Sequence, residues 1–293
     1  MNKLFVLFSL LLCVLGCKKK QSAEPQPTDI TPTVQKVSYN GPQKDNQYLT
    51  KIISTFKNYS YLQKDSLLVN YDVNKKIVNT TNYQFRSGSS SATNRFIKKY
   101  ETTFNYDSKG NLTDCKTIDL EYQYSASFKF EYDEATNKLN KVNGAYQSGN
   151  YSEFITKLED TDKGFNQLRN GFLRVENTFV DDNLSKYFEK DSPITFEYQG
   201  YSVTKLSPFY ALPANMQKVF YCTENVIQIF NFSIEHLNIM SKNVPSKITS
   251  SGAMNKSIDL NSTSNQAGYV TEISIGDTSS SFYRKFNFSY NNK

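Results

Sequence analysis

From Tyr48 onward, apolar residues alternate with polar ones in short runs. Ile52, Ser54 and Phe56 share one face of such a run. So do Leu67, Val69 and Tyr71; Phe128, Phe130 and Tyr132; and Phe286, Phe288 and Tyr290. Period-2 placement of Phe, Tyr and Val predicts half-buried antiparallel strands. Polar turns separate the runs. Asp107-Ser108-Lys109-Gly110-Asn111 and Asp133-Glu134-Ala135-Thr136-Asn137 each follow a strand and precede an apolar residue, Leu112 or Leu139. Asp at the start with Gly or Asn later fits type I turns leading into hairpins. The pattern predicts one all-β antiparallel domain over residues 46–293.

Two stretches depart from it. Residues 151–191 include Glu153-Phe154-Ile155-Thr156-Lys157-Leu158-Glu159, which is compatible with a short helix, although Gly164 and Gly171 interrupt the segment. Residues 207–245 are bounded by prolines and read as an irregular loop followed by strand or short helix.

The first 17 residues, MNKLFVLFSLLLCVLGC, carry a different signal. Lys3 precedes an apolar run from Leu4 to Leu15. That run has the length of a signal-peptide core and is shorter than the about 20 residues of a membrane-spanning helix. Val14-Leu15-Gly16-Cys17 resembles a bacterial lipobox, in which the cysteine is acylated and becomes the new N-terminus. Acyl chains, at about 0.8 kcal/mol per buried CH₂, make a stable anchor. Lys18, not Asp, follows the cysteine, which favours the outer membrane and leaves the leaflet open. Residues 18–45 hold four of the eight prolines and no amphipathic period, as in an extended, disordered tether.

Charge changes the picture little. The net +6 includes +3 from residues 1–45, leaving a body with 28 basic and 25 acidic residues. Only five of the 34 basic residues are Arg. No nucleic-acid partner is expected from that balance.

The strand–turn units repeat loosely. Residues 67–77 read LLVNYDVNKKI, residues 102–112 TTFNYDSKGNL, residues 128–139 FKFEYDEATNKL, residues 194–203 ITFEYQGYSV and residues 284–293 RKFNFSYNNK. In the first three, Tyr is followed by Asp, whose oxygen can accept backbone N–H groups in the turn. Gln199 replaces that Asp in the fourth. The units resemble YD-repeat hairpins. With the lipobox, the tether and the later segments at 207–221 and 240–251, the chain resembles a family of Bacteroidetes outer-membrane lipoproteins of unknown function. The resemblance implies a strongly curved antiparallel meander, a half-open or porin-like barrel, with short irregular or helical insertions.

Candidate chemistry is sparse. The single histidine, His236, lies beside Glu235 with no Gly-x-Ser-x-Gly elbow to serve. Cys115 and Cys222 remain after the signal and are a candidate disulfide in an oxidising compartment, or two buried thiols. With His236 they lack the close spacing of a zinc site, so no metal is expected. Asp181-Asp182, Glu159-Asp160 and Asp162 are candidate glycosidase or calcium carboxylates, but read more simply as solvated loop acids. No nucleotide motif is present, and no cofactor is expected. Asp65-Ser66-Leu67 matches an O-glycosylation pattern at Ser66. The leading function is a non-enzymatic envelope lipoprotein that binds a lipid, a glycan or an envelope protein on a curved sheet. The alternatives are a structural or adhesive surface module without a pocket, and a carboxylate-based glycan hydrolase.

Overall fold

The computed structural model describes residues 47–59, 61–86, 95–148, 150–212, 216–219, 221, 240–253, 255–276 and 282–292. The signal peptide, Cys17, most of the tether, Cys222 and His236 lie outside them. The described residues form seventeen strand segments in one antiparallel sheet. They are β1 (Gln47–Asn58), β2 (Tyr61–Tyr71), β3 (Ile77–Arg86), β4 (Arg95–Tyr106), β5 (Leu112–Asp119), β6 (Ser125–Tyr132), β7 (Leu139–Ser148), β8 (Asn150–Thr161) and β9 (Gly164–Arg169). Then come β10 (Phe172–Val180), β11 (Asn183–Glu189), β12 (Ile194–Gln199), β13 (Lys247–Gly252), β14 (Lys256–Asp259), β15 (Asn261–Ser264), β16 (Val270–Ile275) and β17 (Phe282–Asn292).

Each strand pairs with its neighbour in sequence, β14 and β15 excepted, and β17 returns to pair antiparallel with β1, from Gln47↔Asn292 to Asn58↔Phe282. The meander therefore curls into a nearly closed barrel. An up-and-down meander can close antiparallel only with an even number of passes. The count works because β14 and β15 are two halves of one pass, broken at Leu260. The first half pairs with β13 and the second with β16. The buried Leu260 marks the splice, its N–H donating to the Ser246 carbonyl.

The alternation sets the sidedness. Along β6, Ala126, Phe128 and Phe130 are buried, while Ser127, Lys129 and Glu131 are exposed. Register carries that inner face around the barrel. Cys115 faces Phe128, Phe130 faces Val142, and Phe286 faces Ile273. Residues 153–159 are not helical. Phe154, Thr156 and Leu158 point inward from β8, and Ile155 and Lys157 point outward. Two β-branched residues and a cross-strand partner at every position favour the strand over a lone helical turn. Gly144 explains part of the fit, because a Cβ there would lie 2.2 Å from the Phe154 ring.

The hairpin turns at one end share a device. In the turns after β2, β4 and β6 the Asp carboxylate accepts from the backbone N–H of Lys76, Asn111 and Thr136, at 2.8 Å each. Asn265 does the same for Tyr269 after β15. In three places a tyrosine near the end of a strand reaches back to the start of the preceding one. Tyr71 donates to the Leu49 carbonyl, Tyr106 to Ile77 (2.9 Å each) and Tyr290 to Val270 (2.5 Å). Removing one such hydroxyl has a modest effect, since a net intramolecular hydrogen bond contributes about 1 kcal/mol. Tyr106→Phe is expected to lower unfolding stability by that amount in urea denaturation. A loss above about 3 kcal/mol would mean that packing, not the hydrogen bond, dominates the site.

The described parts of the excursion between β12 and β13, residues 200–212, 216–219, 221 and 240–246, enter the barrel at this same end. A 3-10 turn at Pro208–Ala211 is fully buried, with the Ser207 side chain capping it. Its Phe209 ring meets Phe288 of β17 edge-on at 6.4 Å. Tyr106 of β4 contacts the Met216 sulfur. Lys218 donates to the Leu139 carbonyl of β7 at 3.1 Å. Tyr221 packs on Phe165 of β9 and its hydroxyl bonds Asn177 of β10. A segment that touches strands on all sides of a barrel must lie inside it. The excursion is a plug that closes this end.

Candidate functional site

The interior changes character along the barrel axis. Near the plug the inward positions are apolar: Leu49, Ile52, Leu67, Phe104, Phe165 and Phe286. Toward the opposite end they become polar. Ser54, Asp65, Asn82, Thr102 and Asp119 are buried there, and Phe56, Gln63, Gln84, Tyr100, Arg169 and Arg284 are half-buried. Inward-facing side chains that still reach solvent define an open mouth. The register places them together: Ser54 faces Asp65, Asp65 faces Gln84, Asn82 faces Tyr100, and Tyr100 faces Asp119.

Within the mouth, Gln63 donates to Asp65 at 2.7 Å. Asp119 accepts from the backbone N–H groups of Glu121 and Tyr122, which fixes the turn after β5. Arg169 lies 4.7 Å above the Phe154 ring, and Arg284 4.9 Å above Phe56. Partial burial raises the Tyr100 phenol above its ordinary value, against the lowering pull of Lys99, so it stays a neutral donor. The Asn82 carbonyl oxygen is buried without a hydrogen-bond partner among the described residues. Such a group costs about 1–3 kcal/mol unless something donates to it.

A second concavity, a cleft of about 620 Å³, lies at the plugged end between residues 203–206 and 264–268. Its polar groups serve the fold. Asn265 bonds Tyr269 and Gln47, and Lys205 bonds the Ser262 carbonyl. The mouth is the better candidate, because half-buried polar side chains, Gln63, Gln84, Tyr100, Arg169 and Arg284, turn inward there and still reach solvent.

The residues singled out in the sequence lie mostly elsewhere. Asp181 and Asp182 are the two positive-φ residues of the turn after β10. Glu159 binds Lys157 on the outer face, whereas Asp160, on the opposite face of β8, binds Lys138. Adjacent strand residues point apart, so Glu159 and Asp160 do not converge, and Asp162 lies in the turn after β8. No three His, Cys, Asp or Glu side chains among the described residues form a metal cluster. Cys115 is buried on β5 with no disulfide partner among the described residues, and burial raises its thiol well above the ordinary value. Ser66 lies in β2, 7% exposed, between Ile53 and Tyr83, so a glycan on it requires those neighbours to move aside. Sequence reading missed the mouth. Asn82, Gln84, Tyr100 and Arg169 are ordinary strand residues until closure turns them inward.

No protein-family model and no curated protein matches this sequence. Two solved structures are similar to it in fold. A porin-like protein from Bacteroides uniformis is 12% identical, with a TM-score of 0.42 over 83% of this chain and 98% of that one. A porin-like protein from Bacteroides vulgatus is 15% identical, with a TM-score of 0.37 over 84% and 99%. A barrel that spans a membrane by its strands turns an apolar band outward and a polar lumen inward. Here the sidedness is reversed. Lys116, Lys129, Glu131, Lys157, Glu176 and Glu197 are all exposed on the outer face. At the middle of a bilayer each lysine would cost about 2–4 kcal/mol. No helix among the described residues is long and apolar enough to cross a membrane either.

Proposed function

We propose that the chain is a non-enzymatic lipoprotein of the outer membrane, anchored through acylated Cys17, whose water-facing barrel takes a ligand or an envelope partner at its open mouth. The observation that carries this reading is the sidedness of the barrel: charged outside, and inside apolar near the plug and polar toward the other end. A body of that kind needs a separate anchor, and the lipobox at Val14–Cys17 supplies one. The first described residue, Gln47, lies at the plugged end of the barrel. Glu159 and Asp160 point to opposite faces of β8, which supports a binding role over a hydrolytic pair there.

The test is membrane partitioning of the full chain labelled with an alkyne fatty acid. Wild-type protein is expected to carry the label and to remain with membranes through a carbonate wash. Cys17→Ala is expected to lose the label and to leave the membrane fraction without detergent. Retention of unlabelled Cys17→Ala in washed membranes would sink the lipid-anchored reading and point to insertion by strands.

A further inference from the structure

We propose that the open mouth binds a neutral oligosaccharide. The inference rests on the mouth being the binding end and names the ligand class it would take. Three observations carry it. The described plug residues lie in the apolar half of the lumen, and the inward positions at the other end are not lined for an acyl chain. That end is walled by amides, hydroxyls and a phenol: Gln63, Gln84, Asn82, Ser54, Thr102 and Tyr100. The Asn82 carbonyl oxygen is buried and unmatched among the described residues. A ligand hydroxyl donating to it would satisfy an acceptor that the fold leaves open. Acids and arginines both face the mouth, Asp65 and Asp119 with Arg169 and Arg284, so no single sign of ligand charge is favoured.

The third observation is the rim. The large exposed aromatics among the described residues are Tyr59, Phe96, Tyr122, Tyr124, Phe172 and Phe282. All six sit at the mouth end of the barrel. The exposed large hydrophobics at the plugged end are the valines Val73, Val180 and Val203. Tyr122 and Tyr124 stack on each other, 5.7 Å apart with rings tilted by 23°. A sugar ring presents C–H faces that pack on aromatic faces, while its edge hydroxyls seek amides and phenols. Aromatic platforms around a polar, charge-balanced opening meet both demands.

The experiment is calorimetric titration of the chain from residue 18 onward, which lacks the lipid. The probes are neutral hexasaccharides of glucose, xylose and mannose in both α- and β-linked forms. At least one series is expected to bind saturably. Asn82→Ala and the rim variant Tyr122→Ala are each expected to weaken it about tenfold, the loss of one good contact. Val73→Ala, at the plugged end, is expected to change nothing. Thermal melts of each variant separate lost binding from lost fold. Native mass spectrometry of the full chain purified from envelopes runs in parallel. Oligosaccharide binding that ignores both mouth variants overturns the site. A co-purified lipid or peptide, displaced by Tyr122→Ala, with no oligosaccharide binding, overturns the carbohydrate class and leaves the mouth as the binding end. No ligand in either experiment overturns this proposal and the mouth-binding reading beneath it together.

Discussion

Phe165→Ala is expected to lower unfolding stability by about 3–5 kcal/mol, the range for deleting a fully buried aromatic side chain. Phe165 is 0% exposed and sits where the plug meets the barrel wall. Its ring stacks on Phe179 at 6.1 Å, meets Tyr221 edge-on at 5.8 Å and lies 5.3 Å beneath the Lys218 ammonium. Alanine would remove all three contacts and leave a cavity around a buried lysine. The site has little room to collapse, because Asn177, opposite Phe165 in the ladder, is held by Tyr221. Phe172→Ala is the internal control. It removes the same ring from the rim, where Phe172 is 76% exposed, and is expected to stay within about 0.5 kcal/mol of wild type. Urea denaturation of the chain from residue 18 onward would show the contrast. Equal small effects for the two variants would mean that the plug does not seat against β9.

Stability is also expected to fall steeply above about pH 10. The phenols of Tyr71 and Tyr290 are pushed far above their ordinary value, first by burial and then by neighbouring tyrosines. Burial pushes Tyr132 up to about 12. In the unfolded chain each phenol titrates near its ordinary value of 10.0. Folded pKa values above the unfolded ones mean that the native state keeps its protons while the unfolded chain releases them. The stabilising difference is therefore fully present below about pH 10 and is lost as pH rises toward the folded values. Each phenol held neutral in the fold contributes about 1.4 kcal/mol per pH unit to that slope. Tyr71 and Tyr290 together give about 3 kcal/mol per pH unit. Tyr132, which reaches solvent at its edge, adds less because water screens it. Denaturant melts at pH 8, 10 and 11 would read the slope, and the double variant Tyr71→Phe/Tyr290→Phe should flatten it. A wild-type midpoint unchanged at pH 11 would show that these phenols ionise freely in the native barrel.

The two effects draw on different layers of the molecule. The alkaline slope comes from a device written locally. A Tyr-Asp pair ends a strand, the Asp closes the turn and the Tyr staples the hairpin by reaching its neighbouring strand. Those residues are visible in LLVNYDVNKKI and TTFNYDSKGNL, and the carboxylate acceptors stand where the motif puts them. The repeat is wider than its letters. Asn265 replaces the Asp and Tyr290 supplies the phenol, in a turn that reads as unrelated sequence. Backbone geometry is conserved there with different side chains, so letter matching does not find it.

The sequence by itself determined the strands, their inward and outward faces and the turns between them. Period 2 and a short polar turn are local, and a hairpin needs only its own two strands to satisfy both. The tertiary structure decided the rest. Whether β17 meets β1 depends on curvature accumulated over the whole meander, and on a break at Leu260 that makes the number of passes even. The strand at 153–159 was decided by two neighbouring ladders, which outweighed a weak helical reading. The mouth is the most non-local feature. Its residues come from positions as far apart as Phe56 and Arg284, and their shared site exists only because closure turns one face of every strand toward a common axis. Residues 207–245 read as an irregular loop followed by strand or short helix because the apolar side chains described there, such as Phe209, Met216 and Tyr221, find partners only inside the barrel. Burial of Phe209, Met216 and Tyr221 there plugs one end of the lumen.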